Sequence, residues 1–195
     1  MRGLPWGEGL VEVAKDGLMA SGLEEGLQVR YAKRIKDAER AAFLLNFGVD
    51  SETAQEVLAS VVAQKGDADQ SFRALLRGNV SSEKAQEALA SKIADESDHK
   101  AGTYAYALLV CRMVRSHKAE ETLAGVIAAQ ELAGRAQDLL ERADITERSQ
   151  MVLAGAIPRD CRAVASIITS GNVTREVAGR LAEKMPKACS PVDSG

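Results

Sequence analysis

Two apolar patterns alternate along the chain from residue 44 to residue 185. One is a pair of adjacent aliphatic residues, and the other is a Leu-Ala dipeptide with an apolar residue four positions after its leucine. Side chains four positions apart share one face of an α-helix. The Leu-Ala pattern therefore predicts the buried stripe of one helix, and the aliphatic pair predicts the end of the helix before it. The aliphatic pairs are Leu44-Leu45, Leu75-Leu76, Leu108-Leu109, Leu139-Leu140 and Ile167-Ile168, and the dipeptides are Leu58-Ala59, Leu89-Ala90, Leu123-Ala124, Leu153-Ala154 and Leu181-Ala182.

The Leu-Ala dipeptides recur at a nearly constant interval. Their leucines, at positions 58, 89, 123, 153 and 181, are 31, 34, 30 and 28 residues apart. A period of this length is typical of stacked helical hairpins, which bury one another's apolar stripes. We predict stripe helices over 51–64, 82–95, 117–129, 147–157 and 175–186, with intervening helices over 68–77, 101–113, 132–142 and 159–169.

Turn and cap residues separate the two patterns. The segments RGNVSS (77–82), ERADIT (141–146) and SGNVT (170–174) each combine Gly, Asn or Asp with Ser or Thr. Glycine favours the left-handed conformation that ends a helix, and Ser or Thr favours the N-cap of the next one. We expect Gly78 and Gly171 to end helices, and Ser81, Thr146, Thr174 and either Asp50 or Ser51 to begin them.

The predicted fold class is all-α, an α-solenoid of about five helical hairpins with a diverged N-terminal capping unit. We expect a single domain over 1–195, with an irregular cap over 1–39, repeats over 40–187 and a flexible tail over 188–195. Within the first part, Leu23 and Leu27 are predicted to start one long helix that reaches Phe47, and Trp6 to pin the N-terminus to the first hairpin.

The hairpin layout resembles the HEAT/armadillo class of helical-repeat proteins over residues 40–187, although the proline, aspartate and arginine positions that usually define those repeats are absent. The resemblance is therefore to an architecture. It implies a long concave groove with equivalent positions at a fixed rise and, by analogy, a scaffold that holds a partner there.

Charge and cysteine content narrow the class of function. The net charge is −3, so there is no overall basic character of the kind that marks a nucleic-acid-binding domain. The three cysteines are far apart and form no CxxC pair, which favours a reducing compartment over a disulfide framework. No apolar run is long enough for a membrane span or a signal peptide. We expect a cytoplasmic protein with no membrane association, and Cys111 as an inert buried thiol.

Catalytic motifs are absent from the sequence. His99 and His117 lie in a linker and at a helix start, with no HExxH or other metal spacing, and no glycine-rich phosphate loop occurs. The first-turn acidic pairs are explained by the helix dipole. We therefore expect no enzymatic activity, no metal and no cofactor.

Candidate binding residues are mostly basic. Arginines that follow aliphatic pairs would form a ridge in a stacked array and could contact phosphates or an acidic peptide. Three cations crowd one predicted helix face near residue 30, and two tyrosines stand two positions apart, one predicted to pack and the other available as an exposed anchor. These candidates are Arg77, Arg112, Arg115, Arg142, Arg30, Lys33, Arg34, Tyr104 and Tyr106.

The favoured function is a non-catalytic scaffold that binds a protein or peptide partner on the concave face. The alternative is a nucleic-acid-binding α-solenoid that contacts phosphates through the arginine ridge. A further alternative is a structural subunit of a larger assembly. The sequence does not set the oligomeric state or the identity of a partner.

Overall fold

A computed structural model describes residues 23–47, 49–77, 79–96 and 99–185. These residues form eleven α-helices and no strand. The helices are α1 (Glu25–Ala32), α2 (Ala38–Phe47), α3 (Glu52–Lys65), α4 (Ala68–Leu75), α5 (Glu83–Ala94), α6 (His99–Val110), α7 (His117–Ala129), α8 (Ala133–Arg142), α9 (Glu147–Ala156), α10 (Cys161–Ser170) and α11 (Arg175–Glu183). The all-α prediction is confirmed.

The predicted helix boundaries are confirmed closely for the five Leu-Ala helices, which are α3, α5, α7, α9 and α11. The N-caps Ser51, Thr146 and Thr174 accept hydrogen bonds from backbone amides three residues later. Ser82, not Ser81, caps α5. Gly171 ends α10 with φ +73°, as predicted. Gly78, Trp6 and the tail over 188–195 lie outside the described residues.

The single long helix predicted to reach Phe47 is wrong. α1 ends at Ala32 and α2 begins at Ala38. In the connection, Ile35 turns into the core, and the Asp37 carboxylate accepts a 2.8 Å hydrogen bond from the Arg40 amide. That contact is an N-cap, which favours a new helix start over continuation.

The break reveals a sixth copy of the repeat in a register that the sequence interpretation missed. Tyr31-Ala32 takes the place of the Leu-Ala dipeptide, and Ile35 follows four positions after Tyr31. Ala32 and Ile35 are both buried. We call α1 and the five Leu-Ala helices the stripe helices, and α2, α4, α6, α8 and α10 the intervening helices.

The chain divides into two compact units. Unit 1 comprises residues 1–96 and 113–119, and unit 2 comprises residues 97–112 and 120–195. Within unit 1, the stripe helices α1, α3 and α5 pack in sequence against one another, and so do α2 and α4. Within unit 2, α6, α8 and α10 pack in sequence, and α9 packs on α11. Each unit therefore has two helical layers.

The apolar core consists of the positions that the two patterns predict. Every Leu-Ala leucine is fully buried, and the aliphatic pairs are buried in α2, α6 and α8. Two pairs depart from the prediction: Ile168 is half-buried and Leu76 is 40% exposed. Leu76 lies one residue beyond the end of α4, so it lacks a neighbouring helix to cover it.

A buried amide joins each hairpin to the next. Gln55 on α3 is 1% exposed, and its Oε1 accepts hydrogen bonds from the amides of Ser81 and Ser82, both at 2.9 Å. Its Nε2 donates to the carbonyls of Val49 at 3.0 Å and Asn79 at 3.2 Å. One side chain thus satisfies backbone groups of the loops before α3 and before α5, which would otherwise be unpaired.

The same position repeats this role along the chain. We call Gln28, Gln55, Gln86 and Gln150 the stripe glutamines, because each lies three residues before a Leu-Ala dipeptide or its Tyr-Ala equivalent. Each accepts from the amides that precede the next stripe helix and donates to the loop before its own helix. On α7 the position is Glu120, which accepts from the Thr146 amide and hydroxyl, both at 2.7 Å.

The cysteines correct two expectations. Cys111 is exposed, because it follows the last residue of α6 at a turn where Arg112 has φ +53°. Cys161 is disulfide-bonded to a partner outside the described residues, so sequence separation alone did not exclude a disulfide. A disulfide is more typical of an oxidising compartment. The cysteines therefore do not support a cytoplasmic location, which stays a prediction.

Within the described residues, none of the helices combines the length and apolarity needed to cross a bilayer.

Candidate functional site

The exposed Leu76 lies in a groove between α2 and α4 of unit 1. The groove has a volume of about 400 Å³. Its apolar wall comprises Ala42, Phe43, Phe47 and Leu76, and its polar wall comprises Glu39, Asn46, Gln70, Arg73 and Arg77. Both helices belong to the intervening layer of their unit.

Two phenylalanines form the aromatic wall of this groove. The rings of Phe43 and Phe47 are 4.7 Å apart between centroids and tilted by 35°. They lie four residues apart on α2, which brings their side chains together on one helix face. Phe47 is 46% exposed, so the wall is open to solvent. Exposed aromatic and aliphatic side chains that cluster in this way mark interaction surfaces.

An arginine completes the aromatic wall. The Arg77 guanidinium lies 4.0 Å from the centroid of the Phe47 ring, which is a cation–π contact. Among the described residues, no carboxylate lies within ion-pair distance of Arg77. Arg73, one turn earlier on α4, is paired with Asp69. Arg77 is therefore the exposed cation of the groove that has no ion-pair partner among the described residues.

A buried amide lies beneath the groove. The Asn46 Nδ2 donates to the Arg73 carbonyl at 2.7 Å, while its Oδ1 is buried without a hydrogen-bond partner. Asn46 is 7% exposed and lines the groove. An unpaired buried acceptor costs about 1–3 kcal/mol.

Charged pairs connect successive stripe helices on the other layer. In unit 1, Lys84 pairs with Glu56 at 3.8 Å and Lys118 pairs with Glu87 at 3.1 Å. In unit 2, Arg148 lies 4.0 Å from Glu121. Exposed pairs of this kind contribute about 0–1 kcal/mol each.

A shallow depression of about 370 Å³ lies on the stripe helices of unit 2. By the same spacing, the next ion pair between stripe helices would join residues 151 and 176. These residues are Met151 and Glu176, so no ion pair can form between them. The depression is lined by both of them together with Glu121, Glu147, Arg148 and Val152. It is a mixed surface with an acidic bias and a small apolar floor.

The predicted arginine ridge is only partly available as free charge. Arg112 pairs with Asp144 at 3.3 Å, and Arg142 pairs with Asp138 at 3.1 Å. Arg77 and Arg115 are exposed, and the Arg115 backbone amide is held by Gln86. Their role in binding phosphate or peptide stays a prediction.

The second basic group does not lie on one continuous helix. Arg30 is on α1, Lys33 is its C-cap, and Arg34 follows in the connection before α2. All three are exposed. The shared face that was derived from an unbroken helix therefore does not extend past this turn.

Both tyrosines are half-buried, and neither is an exposed anchor. The Tyr106 hydroxyl donates to Asp138 Oδ2 at 2.6 Å, and the Arg135 guanidinium lies 5.6 Å from its ring. The hydrogen bond to Asp138, together with burial, raises the pKa of Tyr106 above its usual value. Tyr106 therefore links α6 to α8 in unit 2.

The two histidines belong to no metal-binding cluster in the described part of the chain. His117 is exposed at the first residue of α7, and no group of three or more His, Cys, Asp or Glu residues there could hold a metal ion. The side chain of His99 lies outside the described residues.

The sequence interpretation treated the aliphatic pairs as markers of helix ends and did not identify the groove that Leu76 lines. A signal for the groove was present in α2, where Phe43 and Phe47 flank the pair Leu44-Leu45.

No family model matches the chain, and neither a curated protein nor a solved structure matches it.

Proposed function

We propose that this protein is a non-catalytic helical-repeat protein, built as an α-solenoid, that binds a protein or peptide partner. The observation that carries the proposal is the exposed groove of Phe43, Phe47, Leu76 and Arg77 between α2 and α4. Aromatic residues and arginine are the side chains most enriched where proteins bind one another.

The repeated contacts of the stripe glutamines support the solenoid part of the proposal. The stripe glutamines make the same kind of contact with the backbone before the next stripe helix, in both units, and Glu120 takes that place on α7. Stacking through nearest-neighbour contacts is the defining property of helical-repeat proteins. The concave-face location expected from the sequence stays a prediction, because the groove lies on the intervening helices.

The experiment compares three forms of the full chain as immobilised bait in a lysate of the source organism. They are the wild type, Leu76→Glu in the groove, and Val110→Glu as a matched control on an apolar residue that is 45% exposed in unit 2. The proposal expects a partner that the wild type and Val110→Glu retain and Leu76→Glu loses, with chemical crosslinks to α2 or α4.

Two results would contradict the proposal. One is retention of the same proteins by all three baits. The other is submicromolar binding of labelled RNA or DNA that weakens steeply between about 50 and 200 mM salt, because that dependence indicates phosphate contacts and supports the nucleic-acid alternative.

A further inference from the structure

We propose that the groove between α2 and α4 recognises a linear peptide in which a large apolar residue neighbours an aspartate or glutamate, and that Arg77 binds the carboxylate. This inference rests on the proposed function and adds the chemistry of the partner.

The size and wall of the groove fit an apolar side chain. A volume of about 400 Å³ is at the lower end of the range for ligand pockets, so it suits a short segment and not a folded domain. Phe43, Phe47 and Leu76 supply the contact surface.

The charge of the groove favours a carboxylate at one end. Contacts of Phe47 with Arg77 and of Asn46 with Arg73 join the C-terminal ends of α2 and α4, so the two helices run in the same direction. Arg77 lies at this end, and Glu39 lies near the start of α2. Glu39 and Phe47 are eight positions apart on α2, which is about 12 Å along the helix axis. Arg77 would therefore attract a peptide carboxylate at the Phe47 end of the groove, and Glu39 would repel it at the other end.

Stacking prepares Arg77 for this contact. The Phe47 ring holds the Arg77 guanidinium through the cation–π contact, and no carboxylate among the described residues lies within ion-pair distance of it, so its N–H donors suit a planar carboxylate. Helix C-termini normally repel anions. Here the Asn79 amide donates to the Asn46 carbonyl, and the Asn46 amide donates to the Arg73 carbonyl, so some of the carbonyls that would repel the anion are already paired.

The same geometry argues against a nucleic acid in this groove. Stacked rings beside an arginine could hold a base, but strand binding also needs a line of unmatched cations along the phosphates. Arg73 is paired with Asp69, and Glu39 adds a negative charge to the wall. A peptide with one acidic residue fits this charge pattern better.

The test begins with a displayed library of random peptides selected on the full-length protein. We expect enriched sequences to share a large apolar residue with Asp or Glu within one or two positions. Fluorescence anisotropy with one enriched peptide then compares wild type, Arg77→Gln, Arg77→Glu and the matched control Lys84→Gln. Lys84 is also an exposed cation of unit 1, and it lies outside the groove.

We expect Arg77→Gln to weaken binding about tenfold, because glutamine cannot form the charge-assisted hydrogen bond to the peptide carboxylate. Arg77→Glu should bind more weakly still and should prefer the peptide with its acidic residue changed to lysine. Lys84→Gln should match wild type. Thermal melting of every variant, with little change expected at an exposed cation, separates loss of binding from loss of folding.

The failures of the two proposals are distinguishable. Enriched apolar peptides without an acidic residue, which Leu76→Glu no longer binds but Arg77→Gln binds normally, would leave the proposed function standing and overturn this inference. Peptides that bind Leu76→Glu as tightly as wild type would show that the groove is not the binding surface. Selection of no peptide at all, or tight oligonucleotide binding lost in Arg77→Gln, would overturn both.

Discussion

The surface between α2 and α4 in unit 1 differs in chemistry from the surface between α8 and α10 in unit 2. The residue directly before the aliphatic pair is Phe43 in α2, but it is Asp138 in α8 and Ser166 in α10. In unit 2 the Ser166 hydroxyl donates to Glu141 Oε1 at 2.7 Å and closes the junction with a polar contact. The unit 1 junction instead leaves Phe47 and Leu76 exposed, beside the half-buried ring of Phe43.

This difference shows that stacking does not need an exposed apolar wall. In unit 2 a hydrogen bond between polar side chains joins the same kind of helices. An apolar junction that faces water exposes surface that burial would stabilise by about 25 cal/mol per Å². We therefore interpret the unit 1 junction as a binding surface and the unit 2 junction as structural support.

The largest expected effect tests the framework that the two units share. Gln55→Ala removes the acceptor of two backbone amides, those of Ser81 and the buried Ser82, so we expect it to lower the free energy of unfolding by about 3 kcal/mol. Gln150 accepts from one backbone amide, that of Thr174, so Gln150→Ala should cost about half as much. Urea unfolding measures both changes.

The control for the stripe glutamines is Gln64→Ala. Gln64 is an exposed glutamine of α3 that hydrogen-bonds only to Ser60 on the same helix. Its loss should change the free energy of unfolding by less than about 0.5 kcal/mol. Equal costs for Gln55→Ala and Gln64→Ala would show that the buried amides do not hold the hairpins together.

The next effect tests whether the unit 1 junction is a binding surface. Phe47→Ser introduces the residue that α10 has at the corresponding position, Ser170. We expect peptide binding to fall about thirtyfold, because aromatic anchors contribute about 2 kcal/mol or more. The free energy of unfolding should change by less than about 1 kcal/mol, since Phe47 is half exposed. A large loss of stability with unchanged binding would identify Phe47 as a structural residue.

A smaller effect is expected at the junction between α6 and α8. Tyr106→Phe removes the 2.6 Å hydrogen bond to Asp138 but keeps the ring under Arg135. We expect a loss of about 1 kcal/mol in the free energy of unfolding and no change in peptide affinity. Reduced peptide affinity in Tyr106→Phe would contradict the division between a binding junction and a structural one.

The smallest effect is a pH dependence of stability in unit 2. Hydrogen bonds from Gln137 and Ser166 hold the pKa of Glu141 below its usual value of 4.5. The carboxylate form is therefore favoured in the folded state, and its contribution is present above pH 4.5 and lost as the pH falls below that value. Ser166→Ala should reduce the loss of stability between pH 6 and pH 3.5, measured by urea midpoints. An unchanged pH profile would show that Ser166 does not stabilise the charged form.

The hairpins were predictable because their signal is local. Helix periodicity, N-caps and the αL glycine Gly171 all act within a few residues, and each was identified from the sequence. The helix break at residues 33–37 was missed because Leu23 and Leu27 were predicted to start one continuous helix to Phe47, and the stripe position of Tyr31 and Ala32 was not recognised.

The groove and the stripe glutamines depend on contacts distant in sequence. Gln55 is polar beside an apolar stripe, and only the loop 24 to 27 residues later explains its burial. Leu76 has the sequence context of a core residue, and its exposure follows from the helix that ends just before it. Neither outcome follows from propensity or periodicity alone.

Hydrogen exchange of the full chain, with and without an enriched apolar–acidic peptide at saturating concentration, tests the central claim most directly. We predict slower amide exchange in residues 38–47 and 68–77, and unchanged exchange in residues 133–142 and 161–170. Slower exchange confined to the unit 2 junction or to the stripe helices would contradict the assignment of the groove as the binding surface.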